Sequence, residues 1–260
     1  MNDELIGTLG DELHDALITR RPVAPLTSRY ADIEVDDAYR IQRHMVGRRL
    51  AAGEKIVGKK VGLTSKAVQQ MLGVMQPDFG QLLSGMIADE VGAVPFDSLI
   101  QPKAEGEIAF LLKRDLCGPH VTNAEVLAAT EGVMACFEIV DSRIEDWRIR
   151  IEDTVADNAS SGVFVLGSAL VDPRKVDLTL CGMVLERNGE RVATGAGAAA
   201  LGSPVNAVTW LANALGRFEV PLRAGEVILS GSLAAMIPVK RGDRFRLRIG
   251  GIGDCSVAFA

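Results

Sequence analysis

The stretch LTLCGMVLERNGERVATG, residues 178–195, carries the clearest topological instruction in the chain. Two β-prone runs flank Asn188-Gly189, a dipeptide that favours a type I′ turn because both residues tolerate positive φ. This reads as an antiparallel hairpin with strands over 178–187 and 190–195. Working outward, further short β segments fall near 56–62, 107–113, 133–140, 162–167, 226–231, 243–249 and 254–259. Helical patterns are fewer. Leu5, Leu9, Leu13 and Leu17 recur every four residues and predict a helix over 3–20. A second helix is expected over 36–52, capped by Asp36 or Asp37, striped by Ala38, Ile41 and Met45, and stopped at Gly53. Ser65 would cap a third over 66–72, Thr122 and Glu125 form a capping box for one over 123–131, and Ser203-Pro204 opens one over 204–215.

Short strands joined partly by hairpins point to the α+β class, with a rolled or barrel-like core rather than a doubly wound sheet. No Gly-x-Gly-x-x-Gly opens a helix after a strand, so a dinucleotide fold has no support. The expected division is a helical segment over 1–53 followed by a β-rich core over 54–260.

Composition narrows the function. The 260 residues carry 28 Lys+Arg against 34 Asp+Glu, a formal charge of −6, so there is no basic excess to neutralise nucleic-acid phosphates or an anionic membrane surface. The uncharged run Val192–Gly216 is interrupted by Ser203-Pro204 and two asparagines, and does not read as a bilayer span. Four scattered cysteines suit a reducing compartment, and with no signal peptide the cytoplasm is the expected location. His14, His44 and His120 are the only histidines, and none stands beside a nucleophile. Chemistry falls to carboxylates, lysines and hydroxyls.

Glu105-Gly106-Glu107 leads into a strand, where residues i and i+2 share a face. Gly106 between them is expected to admit close approach. Glu138 lies in an otherwise apolar run, Val133–Val140, and a buried carboxylate calls for a cation. Either these three carboxylates surround a divalent metal, oxygen ligation selecting Mg²⁺ or Mn²⁺, or Glu105 and Glu107 are a solvated edge and Glu138 pairs with an arginine such as Arg143. In Gly58-Lys59-Lys60-Val61-Gly62, strand alternation puts Lys60 on the face of the two glycines, with room for a ligand above it; a metal or partial burial could lower its pKa to suit a general acid or base. Gln76–Gly80 reads as a turn in which Asp78 caps its own backbone, and Asp157–Gly162 as a small polar loop. Glu226–Ser232 runs from a strand into small residues that permit close backbone approach.

In order, VGKKVGLTSKAVQQMLGVMQPDFG (57–80), QPKAEGEIA (101–109), EIVDSR (138–143), DTVADNASSG (153–162) and GEVILSGS (225–232) resemble the 2-hydroxypenta-2,4-dienoate (2-oxopent-4-enoate) hydratases of the fumarylacetoacetate hydrolase superfamily. The resemblance spans nearly the whole chain. It implies an α+β fold of rolled mixed β-structure with flanking helices, and a hydro-lyase acting on a small 2-hydroxydienoate or 2-oxo acid in meta-cleavage degradation of aromatics, with a divalent metal on Glu105, Glu107 and Glu138 and no organic cofactor. It also implies Lys60 as the catalytic lysine, Asp78 as an acidic group near the reacting centre, and homo-oligomers such as pentamers or decamers. Ser160 is the expected substrate hydrogen-bonder. Related 4-oxalocrotonate (2-oxo-3-hexenedioate) decarboxylases share the carboxylates and the lysine; Asp78 and Trp147 place this chain with the hydratases. The two enzyme types associate, so a decarboxylase partner is expected, and the alternative of another class is a non-catalytic oxo-acid binder or scaffold for that partner.

Overall fold

The computed structural model describes residues 1–65, 69 and 74–260, and the helix expected over 66–72 lies outside the described residues. The leucine periodicity produces α1 (Asp3–Thr19), followed by a single turn, α2 (Leu26–Arg29), and by α3 (Val35–Ala51). Leu9 and Leu13 pack on Ile41 and Met45 of α3, and Ile144, Val155 and Ala156 of the later chain complete that cluster. The expected aspartate cap of α3 is corrected: the helix begins one residue earlier, Glu34 occupies the cap position without a side-chain bond, and Asp37 accepts from Arg40 at 2.8 Å.

The strands follow as β1 (Ile56–Gly62), β2 (Asp78–Leu83), β3 (Ala93–Val94), β4 (Lys103–Leu112), β5 (Thr130–Val140), β6 (Ser161–Leu166), β7 (Gly182–Arg187), β8 (Glu190–Ala196), β9 (Val227–Leu229), β10 (Ile237–Pro238), β11 (Arg244–Ile249) and β12 (Gly253–Phe259). Helices α4 (Asn123–Ala129), α5 (Ile151–Ala156) and α6 (Pro204–Gly216) interrupt them. Thr122 and Glu125 form the expected capping box. Among the described residues no helix is long and apolar enough to cross a membrane.

One sheet runs β2-β1-β9-β4-β5-β6, with β10 added to β4. Its two ends meet, because Ile87 beyond β2 bridges Phe164 in β6 and the Ala88 N–H donates to the Phe164 carbonyl at 2.9 Å. The sheet is therefore rolled. Leu82, Ala109, Met134, Cys136, Phe164 and Leu229 converge from its strands into one cluster inside the roll. The opposite faces of β4 and β5, including Ile108, Phe110 and Phe137, belong to the main core shared with the second sheet, ordered β3-β12-β11-β7-β8. Phe137 meets Phe245 of β11 edge to face at 6.2 Å. The hairpin read from Asn188-Gly189 joins β7 to β8, with φ of 54° and 83° at the two turn residues.

Three local readings are corrected. Gln76–Gly80 is not a turn throughout: Pro77 ends the irregular part and Asp78 opens β2, an edge strand that tolerates proline just before it. The strand expected from 178 starts at 182, because the Asp177 carboxylate accepts the Thr179 and Leu180 N–H groups at 3.0 Å and holds a local turn. Gly106 does not separate two carboxylates for a ligand. A Cβ there would lie 2.8 Å from Leu247 and 2.9 Å from Met183, so this glycine lets the second sheet pack against the back of β4.

Candidate metal and proton-transfer site

Strand register assembles the site. In the β4–β5 ladder Glu105 stands directly opposite Glu138, and Glu107 follows two residues along on the same face. Ligand oxygens of the three carboxylates all lie within 4.8 Å of one another. Glu107 and Glu138 are buried, while Glu105 is half-buried. The Gly231 N–H donates to Glu107 Oε2 at 2.7 Å, so the small residues after β9 approach a protein carboxylate here. Among the described residues, Glu107 Oε1 and both Glu138 oxygens have no hydrogen-bond partner. Buried acceptors without donors are costly, and an oxygen-only set of this kind fits a hard divalent cation. The alternative pairing of Glu138 with Arg143 is not found, since Arg143 binds Asp157 instead.

Lys60 projects from β1 onto the same group. Its Nζ lies 3.4 Å from Glu138 Oε2 and donates to the Ala159 carbonyl at 3.2 Å. Lys59 faces the other way and places its Nζ 2.7 Å from both oxygens of Glu226. Gly62 pairs with Asp78 across β1 and β2, and the space above it is filled by the site: a Cβ there would fall 2.1 Å from Asp78 Oδ1 and 3.0 Å from Lys60 Nζ. Asp78 Oδ1 is buried and has no partner among the described residues, so the expected self-capping turn is replaced by a carboxyl aimed into the site.

Burial raises the carboxyl pKa values, and mutual repulsion adds to it. Glu105 is pushed up to about 7, first by burial and then by Glu138. Glu107, Glu138 and Asp78 are also raised, in each case first by burial. Burial alone would lower Lys60, but Glu138, Asp78, Glu105 and Glu107 outweigh it and hold the ammonium up. The expected fall in its pKa is thus reversed in the protein alone.

Ser160 sits elsewhere in its turn. Its hydroxyl is buried against Asp157 and Thr154, 3.3 Å from each, and the group of this turn that touches Lys60 is the Ala159 carbonyl. Sequence reasoning missed that contact, because a backbone carbonyl leaves no mark in residue identity. Trp147 donates to the Gln101 carbonyl at 2.9 Å and stacks under Lys103, whose Nζ lies 4.0 Å from the ring centre. A cavity of about 420 Å³ opens onto Glu105, bordered by Gly62, Leu63, Thr64, Ser232 and Met236. That is room for a small acid.

The chain is 63% identical over 221 residues to a 2-hydroxypent-2,4-dienoate hydratase from Pseudomonas putida, covering 85% of this chain and all of that one. It is 54% identical to a 2-hydroxyhexa-2,4-dienoate hydratase from Comamonas testosteroni, covering 98% of each. Among solved structures, the 4-oxalocrotonate decarboxylase from Pseudomonas putida G7, complexed with magnesium and adipate, superposes with a TM-score of 0.97 at 36% identity over 100% of this chain and 99% of that one. The fumarylacetoacetate (FAA) hydrolase C-terminal domain matches residues 57–259, the span that contributes every strand of the rolled sheet except the first residue of β1. With that match and relatives of such identity, the chain belongs to the fumarylacetoacetate hydrolase family.

Proposed function

We propose that the protein is a metal-dependent hydro-lyase that adds water to 2-hydroxypenta-2,4-dienoate, giving 4-hydroxy-2-oxopentanoate in meta-cleavage degradation of aromatics. The single observation that carries the chemistry is the set of carboxylate oxygens without partners among the described residues, beside an ammonium and a separate buried acid. Glu105, Glu107 and Glu138 would hold Mg²⁺ or Mn²⁺, which would supply Lewis-acid polarisation of the substrate's carboxylate and 2-oxygen. Lys60, an ammonium at rest, gives a proton to C5 and takes up the 2-hydroxyl proton in exchange as the dienol becomes a ketone. The resulting 2-oxopent-3-enoate is a conjugated acceptor, electrophilic at C4. Asp78, beside Lys60 over Gly62, orients the water that adds at C4, takes its proton and returns it at C3 as the resulting enolate becomes a ketone. Its raised pKa suits a group that must accept a proton and return it. Ser160 acts on this turn from within. No organic cofactor is needed. Assembly into pentamers or decamers, association with a decarboxylase and a cytoplasmic location belong to the same proposal, and light scattering on the purified protein tests the first.

The test is chelator-stripped protein given freshly generated 2-hydroxypenta-2,4-dienoate and, separately, 2-oxo-3-hexenedioate, with and without Mg²⁺ or Mn²⁺. Metal-dependent gain of one water on the first substrate, read by mass, is the expected result. Loss of carbon dioxide from the second would make the chain a decarboxylase like its structural neighbour. Silence on both would favour an oxo-acid binder.

A further inference from the structure

Behind Lys60 stands a device that the proposed reaction does not itself require. Asn158, Ala159 and Ser160 all hold left-handed backbone conformations, with φ of 53°, 51° and 52°. Such conformations are costly for residues other than glycine and persist only where surroundings impose them. The surroundings here are explicit. Arg143 is 1% exposed, and its guanidinium reaches the Asp157 carboxylate and donates to the carbonyls of Asp141, Asp157 and Ser161. The Arg143 N–H also donates to Asp157 Oδ2 at 3.0 Å. From the other side, the Asn158 amide clamps both backbone groups of Gln81, accepting from its N–H at 2.8 Å and donating to its carbonyl at 2.9 Å. Gln81 is the β2 residue opposite Lys59, next to the Gly80–Lys60 pair. The turn is thereby fixed to the lysine's own hairpin, and Gly80 admits it: a Cβ there would lie 2.5 Å from the Asn158 carbonyl.

The consequence falls on Lys60. A lysine stem has four rotatable bonds, and an ammonium beside several carboxylates would settle onto them. The Ala159 carbonyl, presented by the left-handed turn, holds Nζ back, suspended between 3.2 Å to that oxygen and 3.4 Å to Glu138. We propose that Arg143 and Asn158 are positioning residues, which hold the Asn158–Ser160 turn so that the Ala159 carbonyl aims the Lys60 ammonium. A lysine at 143 could not replace the fork, because one ammonium cannot span a carboxylate and three carbonyls set around a planar guanidinium.

This rests on the hydratase reading for its kinetic readout but not for its spectroscopic one. Arg143→Lys and Asn158→Gly are compared with the parent enzyme; glycine at 158 keeps the left-handed backbone and removes only the clamp, so it remains informative if the arginine variant does not fold. The expected result is a fall in kcat of about 10- to 100-fold, the scale of a misplaced reacting group, with KM and Mg²⁺ affinity by calorimetry within about twofold of the parent. In ¹⁵N-lysine-labelled protein, the Lys60 ammonium resonance, identified by its loss in Lys60→Met, should shift or broaden in Asn158→Gly. An unmoved resonance would overturn the proposal, as would folded variants with unchanged kcat, or kcat falling in step with Mg²⁺ affinity. If the parent enzyme adds no water while the resonance moves, the hydratase reading fails and the positioning role stands.

Discussion

Lys59 and Lys60 are neighbours in one strand, both buried and both beside carboxylates, yet their surroundings differ in kind. Lys59 has one acid, Glu226, with both oxygens 2.7 Å away, and the Arg223 N–H at 2.9 Å completes Glu226. Charge and hydrogen bonds there close on themselves. Lys60 has four acids around it and lies 3.4 Å from one, while oxygens of Glu107, Glu138 and Asp78 have no donor among the described residues. A closed pair ties β1 to the segment entering β9 and binds nothing further. The open cluster leaves buried acceptors exposed to one another's charge, and in the proposed function a cation and a substrate would complete it. Two adjacent residues of one type thus separate a structural ion pair from the proposed reactive centre, and the separation follows from which face of a strand each occupies.

The largest effects should come from breaking the open side. Glu107→Ala is expected to lose Mg²⁺ binding and turnover together, whereas Lys60→Ala should bind Mg²⁺ and lose about 10²- to 10⁴-fold in kcat, the range of a single acid–base group. Calorimetry and steady-state rates on the same preparations decide it; normal turnover in Lys60→Ala would remove the lysine from the mechanism. Breaking the closed side should do the reverse. Lys59→Ala leaves Glu226 buried without its cation, a loss of about 3–5 kcal/mol in stability, with kcat/KM in the surviving folded protein close to the parent value. Urea denaturation checks it, and a collapse of kcat without loss of stability would contradict the contrast. Between these lies Gly62→Ala, which places a methyl group against Asp78 Oδ1 and should cut turnover while leaving the Lys59–Glu226 pair and Mg²⁺ affinity intact.

Much of the contrast was legible in the sequence, and the boundary of what was legible is physical. Period-two alternation put Lys60 on the glycine face and Glu105 with Glu107, and the apolar run around Glu138 marked it as buried; each is a statement about one strand. The Asn188-Gly189 hairpin was legible because its turn type demands those residues. What failed depended on a partner far along the chain. Gly106 answers to Leu247 and Met183 of another sheet, Arg143 to Asp157, and Glu226 to Lys59. The Asn158–Ser160 turn left no signal because alanine and serine do not favour a left-handed backbone, so only tertiary bonds explain it. The Asp78 strand was hidden by Pro77, whose turn chemistry ends one residue before the pairing starts.

The smallest predicted effect is also the sharpest test of why the open cluster is open. Glu105 ordinarily titrates near 4.5 and is pushed up to about 7 in the folded protein, first by burial and then by Glu138. Between those values the metal-free folded chain keeps a proton that the unfolded chain has released. By linkage, its stability falls as pH rises from about 4.5 to about 7. Lys60, held above its usual value, contributes nothing in that window, because it is charged in both states. A bound dication replaces the proton as the neutralising charge, so with Mg²⁺ the slope should flatten. The same saturation should raise stability at neutral pH by about 2.7 kcal/mol at a hundredfold excess over Kd. Denaturation midpoints at pH 5 and 7.5, in chelator and in Mg²⁺, measure both quantities. Parallel slopes would mean that the carboxylates are neutralised by something other than the cation, and the cluster would then be no more open than the pair on the other face of the strand.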